Sequence, residues 1–238
     1  MADQKVLETQ QWLNETYTLG LTEDGQTGYN TVRGIIKALQ TELEITADGS
    51  FGVGTKNSFN SMFPNGISKD TEANSQKIRN IIRIINGGYW CRGIEAEYND
   101  QFAFTIATEN ATKILKGQLG VDDSNGVVSG IELKAILTTD AYTLQGNEKT
   151  REIRQALNQK YINILGFYIA TNGIYERNTN TAIIKAIQSE IGVDVDGGWE
   201  NQTWSALAVS CGDTSRRAKA CDTRFEITPE RAEVLKNN

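Results

Sequence analysis

Two segments of the chain repeat each other without a gap, and this repeat constrains the fold more than any other feature. Residues 35–43 read IIKALQTEL, and residues 183–191, which start 148 positions later, read IIKAIQSEI. In both segments apolar side chains occupy the first, second, fifth and ninth positions, which places them on one stripe of an amphipathic helix. Residues 113–119 occupy the corresponding place in the middle of the chain, with a weaker match. The repeat therefore predicts an array of helical modules.

A second helix recurs upstream of each of these segments. Each copy has an apolar residue, then Asn, and then Tyr three positions after the Asn, and apolar residues at helical spacing precede it. The copies lie 72 residues apart and begin at Leu13, Ile85 and Leu157. We interpret them as the first helix of each module.

A short loop motif occurs twice in each module. Its complete form is Asp or Asn, then Gly, with Thr seven positions after the first residue. The Gly allows a tight turn with positive φ, and the Thr is predicted to cap the following helix, which contributes about 1 kcal/mol. The apolar residue three positions after the Asp or Asn is predicted to cover the helical core. Complete copies begin at Asp24, Asp48, Asn172 and Asp196, and degenerate copies begin at Asn99 and Asn125.

These elements predict an all-α fold with three tandem three-helix modules and a short C-terminal extension. A module of this size is close to the lower limit for an independent core, so we expect neighbouring modules to pack together. The predicted division is 1–64 for the first module, 74–142 for a degenerate second module, 148–210 for the third and 211–238 for the extension.

Composition excludes several classes of function. The chain has no histidine, which excludes Ser-His-Asp and Cys-His catalysis and His-bearing zinc sites. Its net charge is −6 with scattered Lys and Arg, so nucleic acid is not an expected partner. No apolar run approaches the roughly 20 residues that a membrane span requires, so we expect no membrane partner. The acidic loops at 123–132 and 194–203 lack calcium-binding spacing, and we expect no metal, no cofactor and no catalytic residue in this chain.

The loop motifs and the helix ends resemble the peptidoglycan-binding domain family. That family is marked by Asp-Gly-x-Phe-Gly-x-x-Thr and by a helix that ends in an aromatic or aliphatic residue followed by Gln. Here residues 48–55, Leu39-Gln40 and Ile187-Gln188 match these features, and the resemblance covers about residues 4–210. It implies small three-helix units that bind the cell wall, usually attached to lytic enzymes, with peptidoglycan as the ligand.

The resemblance also implies a place of action outside the cell or in the cell wall. The first ten residues, MADQKVLETQ, do not have the pattern of a secretory signal peptide. We therefore expect a phage route, as for endolysins, or a non-standard export route in a Gram-positive host.

Residues 211–238 carry a second, narrower resemblance. The segments at 212–215, 220–223 and 228–233 look like the opening strand and helix of a glycoside-hydrolase-like barrel. Thr228 as N-cap and Pro229 at the first helical position favour a helix. If a longer protein completes this barrel, Asp222 is its expected catalytic acid. The alternative is a helical extension that docks on the third module.

Four aromatic residues are candidate ligand contacts, because aromatic rings can stack on the faces of sugars. The alternative for each ring is core packing, since small helical domains need large side chains to close their cores. The candidates are Tyr29, Trp90, Tyr168 and Trp204.

The sequence thus predicts a non-catalytic peptidoglycan-binding region of a wall-lytic protein, which binds by avidity across its modules. Because the net charge is −6, we expect wall binding to survive about 0.5 M salt. Two alternatives stay open. The modules are a spacer in a glycoside hydrolase whose barrel is missing, or they are a protein-interaction scaffold of phage or secretion origin.

Overall fold

The structure is a computed structural model that describes residues 2–97, 103–121, 124–137 and 144–211. Those residues contain nine α-helices and no β-strand, so the predicted all-α fold is confirmed. The helices are α1 (Gln4–Tyr17), α2 (Tyr29–Glu42), α3 (Val53–Met62), α4 (Gln76–Trp90), α5 (Ile106–Leu119), α6 (Gly130–Ile136), α7 (Glu148–Leu165), α8 (Arg177–Ile191) and α9 (Asn201–Ser210).

Contacts divide the chain into two compact units, Met1–Thr179 and Asn180–Asn238. The first unit contains α1 to α7 and the first residues of α8, and the second contains the rest of α8 and all of α9. Each predicted module holds three helices, although the compact units do not follow the repeats. The module boundaries at 64, 142 and 210 stay a prediction.

Helix α4 lies in the middle of the core of the first unit, where it packs against α1, α2 and α6. The isoleucines between positions 81 and 85 are fully buried, as expected for a helix that has apolar side chains on more than one face. Gly87 and Gly88 permit this close packing. A Cβ atom on Gly87 would lie 2.9 Å from Thr9 of α1, and one on Gly88 would lie 2.3 Å from Ile136 of α6. The first two repeats therefore share one core.

Hydrogen bonds also join the first two repeats. Ile67 and Val128 form an isolated antiparallel bridge, with N–H to carbonyl distances of 2.9 and 2.8 Å. Near the start of α6, the Gly130 N–H donates to Asn60 Oδ1 of α3 at 2.8 Å. Because α3 also packs directly on α6, the end of the first repeat is fixed to the end of the second.

Helix α7 is attached to the C-terminal end of α5, where backbone carbonyls lack partners inside the helix. The side chain of Gln155 donates to the Gln118 carbonyl at 3.1 Å, and that of Asn158 donates to the Leu119 carbonyl at 3.2 Å. The Thr171 hydroxyl donates to the same Gln118 carbonyl at 3.0 Å. The start of the third repeat is thereby fixed to the second within the first unit.

Candidate functional site

The second loop motif of the first module folds around one buried amide side chain. Gln40 Oε1 accepts from the Gly49 N–H at 2.8 Å. Its Nε2 donates to Asp48 Oδ1 at 2.7 Å, to the Ser50 carbonyl at 3.0 Å and to Thr55 Oγ1 at 3.3 Å. Gly49 has φ of +77°, so the predicted tight turn is present. A single side chain is therefore bonded to four polar groups of this motif.

The same arrangement occurs around two other glutamines. Gln10 Nε2 donates to Asp24 Oδ1 and to Thr31 Oγ1, both at 3.0 Å. In the second unit, Gln188 Nε2 donates to Asp196 Oδ1 at 2.7 Å, and it also donates to Thr203 Oγ1 at 3.0 Å. The glutamine that carries part of the family resemblance is thus a structural residue in these motifs.

An arginine replaces the glutamine in the first motif of the third module. Arg154 is fully buried and donates to Asn172 Oδ1 at 2.8 Å and to Thr179 Oγ1 at 2.9 and 2.6 Å. Burial lowers the pKa of Arg154, while Glu176 at 3.7 Å opposes that shift. Because the guanidinium is bonded to the loop on several sides, this charge is also structural.

A lysine takes the same place in the second motif of the middle module. Lys116 Nζ donates to Asn125 Oδ1 at 2.7 Å and lies 3.7 Å from the carboxylate of Glu132, the residue at the position of the motif Thr. Glu132 accepts from the Ser129 N–H at 2.9 Å and from the Tyr168 hydroxyl at 2.9 Å. The degenerate motif therefore forms a polar network of different chemistry, centred on the buried side chains of Lys116 and Glu132.

The prediction that the motif threonines cap their helices is wrong for Thr55 and Thr203, whereas the Thr179 hydroxyl does accept from the Glu176 N–H at the start of α8, at 3.3 Å. Thr55 and Thr203 are the third residues of α3 and α9, whose N-caps are Gly52 and Glu200 without a side-chain cap hydrogen bond. Their hydroxyls instead accept from the buried glutamines. The loop motif still precedes a helix, but its threonine stabilises the loop network.

The predicted role of the apolar motif residue holds only in part. Val128 is buried and Phe51 packs against the core of the first unit. In contrast, the side chains of Tyr175 and Trp199 are exposed, so the prediction is wrong for the third module. The third module therefore exposes aromatic rings at motif positions where Phe51 and Val128 pack inward.

A pocket of about 220 Å³ opens in the first unit between α2 and the end of α6. Its apolar lining includes Val32 and Ile36 of α2 and Leu137, which directly follows α6. All three side chains belong to the buried core. The pocket therefore forms only when the first two repeats pack together, and we call it the Tyr29 pocket.

An exposed ring and two cationic side chains complete the Tyr29 pocket, together with Phe51. Tyr29 is 75% exposed at the first position of α2. Arg33 lies one turn further along α2, and its guanidinium donates to the Asp48 carbonyl at 3.2 Å. Lys134 of α6 donates to the Phe51 carbonyl at 3.2 Å. The pocket thus combines an apolar floor with an aromatic and basic rim.

The basic character of the rim extends to a neighbouring lysine. Lys134 Nζ lies 4.1 Å from the centroid of the Phe167 ring, and Lys56 Nζ lies 4.7 Å from the same centroid. Burial lowers the pKa of Lys134, and repulsion from Lys56 lowers it further. Among the described residues, Arg33 and Lys56 form no ion pair with a carboxylate. Three cationic side chains therefore lie close together here, and the charge of Arg33 helps to lower the pKa of the neighbouring Asp48.

The four predicted ligand residues lie in different environments. Tyr29 lines the pocket. Trp90 is only 7% exposed and its indole N–H donates to the Ala96 carbonyl at 2.8 Å, so its ring belongs to the core. Tyr168 is half-buried and bonded to Glu132, and Trp204 is half-buried in the second unit. Asp222, the acid predicted for a longer protein, lies outside the described residues.

Arg33 and Lys134 were not predicted from the sequence as site residues, and Phe51 was predicted only to cover the core. Lys134 comes from a different repeat than the other two, and repeat alignment carries no signal for contacts between repeats.

The described part of the chain has no group of three or more His, Cys, Asp or Glu that could hold a metal ion. Likewise, none of its helices is both long and apolar enough to cross a membrane.

Residues 143–215 match the family model described as "FadG/YbfG, PGDB-like domain", in which PGDB denotes peptidoglycan-binding-like. The chain contains a FadG/YbfG PGDB-like domain. The chain is similar to two curated proteins of Bacillus subtilis (strain 168). It is 31% identical to "Uncharacterized protein FadG", over 98% of this chain and 53% of that protein. It is 29% identical to "Uncharacterized protein YbfG", over 100% of this chain and 42% of that protein.

The chain thus spans about half the length of the curated relatives it matches. No solved structure matches it. The matched residues 143–215 include the range 148–210 that was predicted for the third module.

Proposed function

We propose that this chain is a non-catalytic peptidoglycan-binding region that holds a wall-lytic protein on its substrate. The match of residues 143–215 to a PGDB-like domain is the observation that carries this proposal. The glutamine-centred loop of the first module repeats that of the second unit, with Gln40 and Gln188 in the same role. This likeness supports extending the family character to the first module.

The Tyr29 pocket supports binding at the first module. Its volume of about 220 Å³ is below the roughly 300–1,000 Å³ of pockets that enclose a drug-sized ligand. It therefore suits one unit of a polymer, such as a single sugar or amino-acid residue, more than a long segment. A weak contact of this size gains affinity when several sites on one chain engage the same polymer.

The targeting role belongs to the same proposal. The curated relatives are longer than this chain, which supports a setting in which the array is one part of a larger protein. The place of action in this proposal is the cell wall, outside the cell. In such a protein, residues 211–238 would begin a glycoside-hydrolase-like barrel with Asp222 as its acid. The array would then keep that barrel close to its polymeric substrate.

Cosedimentation with purified, protein-free sacculi tests the proposal. We expect the whole chain to bind and the Tyr29→Ala variant to bind more weakly. Ile114→Ala is the matched control, because Ile114 is also an exposed apolar residue and does not line the pocket. Binding to a protein partner with no affinity for sacculi would favour the interaction scaffold instead.

A further inference from the structure

We infer that the side chains of Lys116 and Asn125 become joined by an isopeptide bond, which the folded protein forms by itself with Glu132 as the proton acceptor. In this reaction the Lys116 amine displaces ammonia from the side-chain amide of Asn125. The inference concerns a chemical modification inside the middle module, and it does not depend on binding to the cell wall.

The three reacting groups lie side by side in the second loop motif of the middle module. Lys116 Nζ lies 2.7 Å from Asn125 Oδ1, so the amine is next to the carbonyl group that it would attack. Glu132 Oε1 is 3.7 Å from the same nitrogen. In a simple ion pair we would expect the ammonium to donate directly to the carboxylate. Here the amine is closer to the amide, and the carboxylate lies beside it.

Water is largely excluded from the amine and the carboxylate. The side chain of Lys116 is 6% exposed and that of Glu132 is 9% exposed. Exclusion of water strengthens the electrostatic interactions of a site and prevents competing reactions, such as hydrolysis of the amide. Asn125 is exposed, which leaves the released ammonia a path to the solvent.

The Glu132 carboxylate is fixed by groups other than Lys116. Its Oε2 accepts from the Ser129 N–H at 2.9 Å and is also bonded to the Ser129 hydroxyl. Its Oε1 accepts from the Tyr168 hydroxyl at 2.9 Å. Burial and the charge of Glu132 raise the pKa of Tyr168, so that this hydroxyl stays a donor. The proton acceptor is therefore held next to the amine before any reaction begins.

The reaction needs no oxidant and no cofactor, and its atoms balance. The Lys116 ammonium gives one proton to Glu132, and the neutral amine forms a C–N bond with Asn125 Cγ. The carbonyl electron pair moves to Oδ1, which accepts from the Val127 N–H at 3.3 Å. The carbonyl then forms again and the original C–N bond breaks. The leaving nitrogen takes both protons that the amine has lost and departs as ammonium, which restores the Glu132 carboxylate.

The third module contains a similar arrangement that lacks the nucleophile. Arg154 donates to Asn172 Oδ1 at 2.8 Å and lies 3.7 Å from the Glu176 carboxylate. A guanidinium is not deprotonated in proteins, so Arg154 cannot attack the amide. The other described motifs have a glutamine at their centre. Among the motifs that the structure describes, only that of Lys116 therefore has an amine as its central group.

Intact mass under denaturing conditions tests the inference, because a covalent bond survives unfolding and an ion pair does not. The purified folded chain should be lighter than its sequence by the mass of one ammonia molecule. Loss of ammonia also accompanies ring closure at an Asn-Gly pair, and Gly126 follows Asn125. Proteolysis between residues 116 and 125 distinguishes the two products. We expect a branched product in which the Lys116 and Asn125 peptides are still joined.

Variants assign the bond to the three side chains. Lys116→Arg keeps the charge without a nucleophile and should have the full mass of its sequence. Asn125→Ala, at an exposed position, removes the amide that is attacked and should also have its full mass. Glu132→Gln should slow the reaction about a hundredfold, as expected for loss of a general base. Lys113→Gln is the control, because Lys113 pairs with Glu109, and it should still lose ammonia.

The parent chain alone can overturn the inference, whether or not every variant folds. Full sequence mass in the folded parent chain would show that Lys116 and Glu132 form only an ion pair. Loss of ammonia that persists in Lys116→Arg would also overturn it, because the ring at Asn125 would then be the product. Sacculus binding is measured separately, so neither result bears on the proposed function.

Discussion

The side-chain amide of Gln40 lies 2.7 Å from the carboxylate of Asp48, to which it donates a hydrogen bond. The same bond joins Gln188 to Asp196, also at 2.7 Å, in the second unit. In each case the amide belongs to the end of a helix and the carboxylate to the loop that starts the next one. This bond fixes the path of the chain between two helices of a module whose apolar core is small.

Gln40→Ala should lower the free energy of unfolding by about 3 kcal/mol, because several loop groups lose a buried partner together. Urea unfolding followed by circular dichroism measures the change. Thr41→Ala is the control, since Thr41 is the exposed neighbour of Gln40 on α2, and its change should stay within about 0.5 kcal/mol. Equal effects of the two substitutions would contradict a central role for Gln40.

Thr179→Ala should destabilise the protein more than Thr55→Ala does. The Thr179 hydroxyl accepts two hydrogen bonds from the buried Arg154 guanidinium, whereas the Thr55 hydroxyl accepts one from a neutral amide at 3.3 Å. We expect losses of about 2 and 1 kcal/mol respectively, since bonds to charged groups are stronger. Thr179→Ser, which keeps the hydroxyl, should recover most of the loss. A loss of wall binding at unchanged stability would instead assign the threonines to ligand contact.

Acid should lower the free energy of unfolding, because the aspartates of the loop motifs become protonated. The pKa of Asp48 is held below its ordinary value of 3.8 because its carboxylate accepts from the Ser50 N–H and from Gln40. The pKa values of Asp24 and Asp196 are lowered in the same way. A lowered pKa contributes stability that is present above pH 3.8 and is lost as the pH falls towards the folded-state value.

Asp48→Asn tests this contribution because asparagine keeps the acceptor oxygen but cannot take up the proton. Its unfolding free energy should fall less than that of the parent chain between about pH 5 and pH 3. Glu15→Gln, at an exposed position of α1, is the control and should leave the pH profile unchanged. The prediction would be wrong if the unfolding free energy of Asp48→Asn fell more steeply with acid than that of the parent chain.

Tyr168→Phe should cost about 1 kcal/mol of stability and leave wall binding unchanged. The Tyr168 hydroxyl donates to the buried Glu132 at 2.9 Å, and burial together with Glu132 raises the pKa of Tyr168. Tyr29→Phe is the stability control, because Tyr29 is exposed. Reduced wall binding by Tyr168→Phe at full stability would support Tyr168 as a ligand contact.

Much of the fold could be predicted from the sequence, because helical spacing and the Asp-Gly turns are local properties. The apolar stripe of residues 35–43 predicted the helix that is α2, and the same stripe at 183–191 predicted the helix that is α8. The positive φ of Gly49 also follows from local chemistry. The role of Thr55 could not be predicted, because a hydroxyl near the start of a helix can either cap that helix or accept a hydrogen bond from another side chain. Here it accepts from Gln40, fifteen residues upstream.

The candidate site could be predicted only in part. The exposure of Tyr29 could be predicted from the sequence, because an aromatic residue at the start of a helix has few neighbours that could bury it. The site also needs Lys134, which lies 105 positions further along the chain and reaches the pocket only because α6 and α2 belong to one shared core. The burial of Trp90 could not be predicted from the repeats either, because it depends on contacts with its own loop and with Lys5 of the first repeat. Packing between repeats is a tertiary property that repeat alignment does not contain.

Binding to purified sacculi free of protein and of phosphate polymers measures most directly whether this chain binds peptidoglycan without cleaving it. The chain is incubated with the sacculi, the bound fraction is determined by sedimentation over a range of concentrations, and the supernatant is assayed for released sugar and peptide. We predict saturable binding, weakened by Tyr29→Ala and unchanged by Ile114→Ala, with no release of soluble fragments. Binding no greater than that of an unrelated helical protein of similar charge, or steady release of wall fragments, would contradict it.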